Sequence, residues 1–141
     1  MDYKVYEDGG MIALRLDPGE EICESLLALA DKESIQAATV YGLGATDDAV
    51  IGIMDVKTKE YKKQSLKEPL EITTLVGNLS RKDGEAYLHA HINLGGTDGK
   101  VMGGHLDRAV ISVTAEIFVR PIRGIIDRVS NEAIGINQMI F

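Results

Sequence analysis

Apolar residues near the start of the chain fall at alternate positions. Tyr3-Lys4-Val5-Tyr6 and Met11-Ile12-Ala13-Leu14-Arg15-Leu16 read as two arms of a hairpin around Asp8-Gly9-Gly10. The period then changes. Ile22, Leu26, Leu29 and Ala30 recur at helical spacing. Asp17-Pro18-Gly19-Glu20 before them carries helix-start chemistry: an Asp to accept free N–H groups, a Pro suited to the first turn, and a Glu at capping-box spacing. One amphipathic helix is therefore expected over about 18–31. Its other face holds Glu20, Glu21, Glu24 and Asp31, and reads as a solvated face with acids at the positive end of the helix dipole. After Lys32 the alternation returns. Strands are expected over Ile35 to Tyr41, Ala49 to Val56, Leu70 to Leu79, Glu85 to Leu94, Val110 to Val119 and Arg128 to Ile140. They are broken at Gly42-Leu43-Gly44, Lys57-Thr58-Lys59-Glu60, Asp83-Gly84 and Asp98-Gly99. One helix among many sequential strands implies an α+β fold with a largely antiparallel sheet. A single helix covers only one sheet face, which points to an oligomer that buries the other.

Composition bounds the rest. The 141 residues suit a single domain, 1–141, with a core of its own, since a chain of this size buries roughly 68% of its unfolded surface. Apolar residues are 45% and charged residues 26%, an ordinary globular balance that argues against disorder. The net charge of −7 excludes a surface that grips nucleic acid all over, because phosphate binding needs concentrated positive charge. Cys23 is the only cysteine, so no intrachain disulfide and no cysteine-rich zinc site can form. The acidic, polar start is no signal peptide, and no apolar run is long enough to span a membrane. With one thiol, the expected compartment is the cytoplasm.

All three histidines, His89, His91 and His105, lie within 17 positions. In Tyr87-Leu88-His89-Ala90-His91-Ile92-Asn93-Leu94, strand alternation sends Tyr87, His89, His91 and Asn93 to one face, and Leu88, Ala90, Ile92 and Leu94 toward a core. Two imidazoles at i and i+2 can chelate one divalent metal, and three with an open fourth position is an established zinc arrangement. The plain alternative is three histidines that only hydrogen-bond. One obstacle is register. A two-residue turn at Asp98-Gly99 pairs His105 with Ile92 and turns it to the wrong face. A one-residue bulge restores the face, and Gly95-Gly96 or Gly103-Gly104 are natural places for it. Failing that, a further ligand would come from Asn93, Asp107, Glu116 or a neighbouring chain. Gly42-Leu43-Gly44-Ala45 lacks the Gly-Lys-Ser/Thr of a phosphate loop and reads as a tight β–β connection. Cys23, within the helix, reads as buried. Lys57, Lys59, Lys62, Lys63 and Lys67 around Tyr61 form the one strongly basic stretch, either a nucleic-acid contact or a solvated hairpin end.

Gly77-Asn78-Leu79-Ser80, Leu88-His89-Ala90-His91-Ile92, Gly99-Lys100-Val101-Met102-Gly103-Gly104-His105-Leu106 and Val113-Thr114-Ala115-Glu116, with Gly42-Leu43-Gly44-Ala45 upstream, resemble the plants and prokaryotes conserved (PPC) domain in its prokaryotic, stand-alone branch. The H-x-H followed by G-G-H-L is the most specific part. The resemblance implies an α+β fold with one main helix, assembled as a homotrimer. In plant members the domain follows AT-hooks that bind AT-rich DNA, and prokaryotic members are often labelled DNA-binding by analogy. This chain has no AT-hook. Plant members generally lack the histidines, so a metal site would belong to the prokaryotic branch.

Three functional classes remain. The first is a trimeric metal-binding module, regulatory or DNA-binding by resemblance. The second is a zinc-dependent enzyme in which the metal activates water, with Glu116 as the candidate base. The third is a structural oligomer. Zinc is the expected metal, although imidazole also suits nickel, copper and iron.

Overall fold

Hydrophobic alternation carries most of the chain into strands. In the computed structural model, which describes residues 1–6, 10–55 and 57–141, the order is β1 (Asp2–Tyr6), β2 (Met11–Leu16), α1 (Ile22–Lys32), β3 (Ala38–Asp55), β4 (Glu60–Leu66), β5 (Leu70–Lys82), β6 (Glu85–Gly95), β7 (Val101–Pro121), β8 (Asp127–Asn131) and β9 (Ile136–Ile140). Strand makes up 67% and helix 8%, so the fold is a mostly antiparallel sheet with one helix, more β than the α+β expectation.

The sheet path runs β1-β2-β7-β3-β5-β8-β9, with β4 on β3 and β6 between β5 and β7. The pairings β3–β5, β5–β6, β6–β7 and β7–β3 close a circuit, so the sheet curls back on itself. The one parallel contact among the described strands is Arg81 with Asp127, which joins the β8–β9 hairpin to β5. Inward-facing Leu75, Leu79, Ile92, Leu94, Ile111 and Ile117 are almost fully buried. Ile22, Leu26, Leu29 and Ala30 of α1 pack onto the same core. Truncating Leu26 to Ala would cost about 2–5 kcal/mol.

Several boundaries differ from the sequence expectation. The helix begins at Ile22, because Asp17–Glu20 is used as a turn. Glu20 N–H donates to Asp17 O (3.2 Å) and Asp17 N–H to Glu20 Oε2 (2.8 Å). Gly19 then sits at φ +89° and donates to Ile111 O of β7, which holds this segment off a helical path. Glu21 takes the cap instead. Its Oε2 accepts from Glu24 N–H (2.7 Å) and its Oε1 from Ala109 N–H (2.8 Å).

Gly42-Leu43-Gly44 is no turn. It is a bulge inside the 18-residue β3, and a Cβ at Gly42 would stand 2.7 Å from Glu116 O. β4 was not expected, since its polar run Tyr61-Lys62-Lys63-Gln64-Ser65 pairs only with β3 and lacks an apolar face. β7 starts nine residues earlier than its apolar core suggests, and the expected strand over Arg128 to Ile140 is two strands around a turn. Of the first hairpin, both arms form, while Asp8-Gly9 lies outside the described residues, as does Val56.

Candidate metal centre

β6 alternates as its sequence requires. Ala90, Ile92 and Leu94 are buried, His91 and Asn93 are exposed on the opposite face, and Tyr87 and His89 are half-buried there. The third histidine arrives through the β6–β7 hairpin. Gly96 N–H donates to Lys100 O and Gly99 N–H to Gly96 O, both 2.9 Å, so three residues, Thr97-Asp98-Gly99, form the loop. Gly99 at φ +78° is the left-handed third residue that such a loop requires. That extra residue moves the register by one. His105 pairs with His91, not Ile92, and residues directly opposite across an antiparallel pair share a face. The bulge therefore lies at Gly99, not at either glycine pair.

The three rings converge. Their centroids are 5.1–5.6 Å apart, and one potential ligand atom from each lies within 4.8 Å of the others. Tetrahedral zinc wants donor atoms about 3.3 Å apart, so binding would draw the three rings closer together. Burial, followed by neighbouring positive charge from His105, Arg128 and His91, lowers the pKa of His89. Burial also lowers that of His105, outweighing the opposing pull of Asp107. Both shifts favour the neutral imidazole that a metal needs. The donor set thus fits a borderline divalent ion.

A supporting layer flanks His105. It pairs with Gly52 of β3, where a Cβ would sit 2.2 Å from the Tyr61 ring. The Tyr61 ring therefore lies over Gly52, nearly perpendicular to His105 with centroids 6.1 Å apart. Tyr61 Oη donates to Asp107 Oδ1 (2.8 Å), and Lys63 Nζ lies 3.1 Å from Asp107 Oδ2. Burial and this hydrogen bond push the Tyr61 hydroxyl pKa up, so it stays protonated. Above the histidines opens a cleft of about 670 Å³. β3 and Tyr61 wall it on one side, and Ser130-Asn131-Glu132 with Gly135-Ile136-Asn137 of the β8–β9 hairpin on the other.

A family model, the Plants and Prokaryotes Conserved (PCC) domain, matches residues 3–123. The chain belongs to the PCC family. A metal-containing protein from Archaeoglobus fulgidus is 37% identical, with 99% of this chain and 97% of that one covered and a TM-score of 0.88. A Pyrococcus horikoshii plant- and prokaryote-conserved protein is 32% identical over 99% and 96%, with a TM-score of 0.85. A candidate DNA-binding protein of Bacteroides thetaiotaomicron is 29% identical over 99% and 97%, with a TM-score of 0.93. Among curated proteins no match is found. The PCC match stops before the β8–β9 hairpin that walls the cleft.

The other expected residues of this PCC domain sit elsewhere. Glu116 is exposed, eleven positions beyond His105 on β7, which at about 3.3 Å per residue is about 36 Å of strand. Its neighbours are Tyr41, Leu43 and Phe118, not the histidines. Asn93 leans over Gly103, and Asp107 is held by Tyr61 and Lys63. Lys57, Lys59, Lys62 and Lys63 occupy the β3–β4 turn and the β4 edge. Lys62 lies 4.0 Å from Glu60, and Lys63 is engaged with Asp107. Cys23, expected to be buried, is half-buried against the core, and that burial pushes its thiol up to about 12, away from the reactive thiolate. Sequence reasoning missed Arg128 and Asn137, because their place depends on a hairpin whose turn reads as continuous strand.

Register also draws one row across the outer face: Phe118, Tyr41, Val76, His91, His105 and Gly52 are consecutive cross-strand partners. Tyr41 and Phe118 stack, with centroids 5.4 Å apart, and Val76 is 54% exposed. The apolar end of the row thus faces outward in the monomer.

Proposed function

We propose that this PCC protein is a metal-binding module in which His89, His91 and His105 hold one divalent transition ion per chain, zinc first. The observation that carries this reading is the convergence of three imidazoles, two of them biased toward neutrality, at the floor of an open cleft. When bound, the ion supplies Lewis acidity toward a small ligand entering that cleft. The chain's own part is to fix the rings from two paired strands and to brace His105 through the Tyr61–Asp107–Lys63 layer. The description of the Archaeoglobus fulgidus relative as metal-containing supports the same reading. An open cleft favours an accessible ion over a closed structural one. Elemental analysis of protein reconstituted with zinc is the test. About one equivalent per wild-type chain is expected, and a value below about one-tenth would refute the site.

The assembly we propose is a homotrimer that covers the Tyr41–Phe118–Val76 face, since three exposed apolar neighbours on one sheet face favour burial. DNA is a second reading. It is supported by the relative described as a candidate DNA-binding protein and by the exposed lysines of the β4 edge.

A further inference from the structure

We infer that the cleft over the histidines accepts a small organic monocarboxylate whose charge is balanced jointly by the bound ion and by Arg128. This rests on the metal reading above. Arg128, on β8, is 7% exposed. Its Nε donates to Ser80 Oγ (2.8 Å), Nη1 to Asn137 O (2.7 Å) and Nη2 to Asn78 Oδ1 (2.7 Å), and its guanidinium lies over the Tyr87 ring at 4.8 Å. Every one of these partners is neutral, and among the described residues no carboxylate pairs with it. The other buried arginine shows the ordinary solution: Arg81, 8% exposed, pairs with Asp31 at 3.0 Å. A guanidinium does not shed its proton, so a buried one without a counter-charge is costly.

Arg128 does not itself line the cleft, but two of its contacts do, so its uncompensated charge stands directly behind the wall. Tyr87, under the guanidinium, and Asn137, whose carbonyl accepts from it, both line the cleft with His89 at its floor. Three neutral imidazoles leave the full charge of a divalent ion uncompensated, and Lys63 already neutralises Asp107. The floor is therefore positive and calls for an anion. The walls are of another kind. Ile53, Met54 and Ile136 are apolar, and Glu132 stands exposed at the rim. Apolar walls suit a hydrocarbon body, and the rim carboxylate disfavours a multiply charged phosphate. One carboxylate head on an apolar body meets all of these conditions within about 670 Å³.

Cobalt(II) substitution gives a readout that needs no reaction: the visible bands of the bound ion respond to a fourth ligand. Titrations with butyrate, butyramide and inorganic phosphate separate charge from shape. Saturable spectral change with butyrate, little with butyramide and weaker binding of phosphate are expected. Arg128→Gln should keep cobalt stoichiometry and weaken butyrate by at least roughly tenfold, whereas Arg128→Lys, which retains the charge, should lose less. Because Arg128 also pins the β8–β9 hairpin, the wild-type comparison of butyrate with butyramide stands as an independent arm. Equal response to acid and amide, tighter binding of phosphate, or undiminished butyrate binding in a cobalt-loaded Arg128→Gln protein would each overturn the proposal. Cobalt uptake without any butyrate response sinks this inference alone, while failure of cobalt to bind sinks the metal reading and this one with it.

Discussion

A histidine binds either a proton or a metal at the same lone pair, so competition between the two governs the three-imidazole cluster. Burial holds His89 and His105 below the ordinary histidine value of 6.5. The unfolded chain takes up protons near that value and the folded chain only below it. Stability of the metal-free protein should therefore be full above pH 6.5 and decline as pH falls through the lowered folded values. Zinc affinity should fall in the same direction, by about tenfold or more between pH 7.5 and 5.5, and a flat zinc titration across that range would contradict ligation by imidazole. His91→Ala removes one donor from an exposed position while Ala90 and Ile92 stay in the core. The expected result is an unchanged circular dichroism spectrum with bound zinc down to about one-tenth of an equivalent or less. Unreduced zinc in that variant would show that the ions sit elsewhere. His89 and His91 were legible as a pair because alternation alone puts i and i+2 on one face. His105 was not placed by residue type, since its face depends on a register counted through a loop.

That register is a property of an element. A two-residue turn at Asp98-Gly99 and the three-residue loop Thr97-Asp98-Gly99 differ by one residue, yet they send His105 to opposite faces. Gly99→Val forces a β-branched side chain into φ +78°, which should cost about 1–2 kcal/mol. Thermal unfolding at fixed protein concentration measures it, and zinc affinity should weaken in parallel as the hairpin loosens. No change in either would mean that the loop does not set the site. Elements with one apolar face were readable from period alone, as α1, β2, β5 and β6 show. β4 was not, because an edge strand with polar residues on both faces carries no periodic signal. Gly42-Leu43-Gly44 looked like a stop for the opposite reason. Those glycines are there because β3 and β7 approach closely, and sequence does not distinguish close approach from a turn. The β8–β9 hairpin shows the same weakness, with its turn hidden in a run that alternates throughout.

At the scale of the molecule the question is which surfaces meet a partner. The outer face carries stacked Tyr41 and Phe118 beside exposed Val76 and Leu43, in strands whose other face is the core. Apolar neighbours on both faces, as at Val40 with Tyr41 and Ile117 with Phe118, signal burial without saying whether the same chain supplies it. We expect a trimer by light scattering at micromolar concentration, and monomers from Tyr41→Glu with Phe118→Glu while Val40 and Val119 keep the core intact. A wild-type monomer would leave that face without the partner proposed for it. Charge decides the case for DNA. Fifteen basic residues face 22 acidic ones, and of the basic stretch Lys63 is neutralised by Asp107 and Lys62 is shared with Glu60. Few phosphates can be neutralised by what remains. Any binding should therefore be non-specific in strength, with a dissociation constant in the range of about 10⁻⁴–10⁻⁶ M at physiological salt and a steep loss as salt rises. Lys62→Glu with Lys63→Glu should weaken it further, because the exchange puts four acids, with Glu60 and Asp107, where two ion pairs stood on the β4 edge. Fluorescence anisotropy at two salt concentrations separates the outcomes. Nanomolar, sequence-selective binding that survives the double substitution would mean that another surface of the PCC domain reads DNA, and that net charge is a poor guide to its partner.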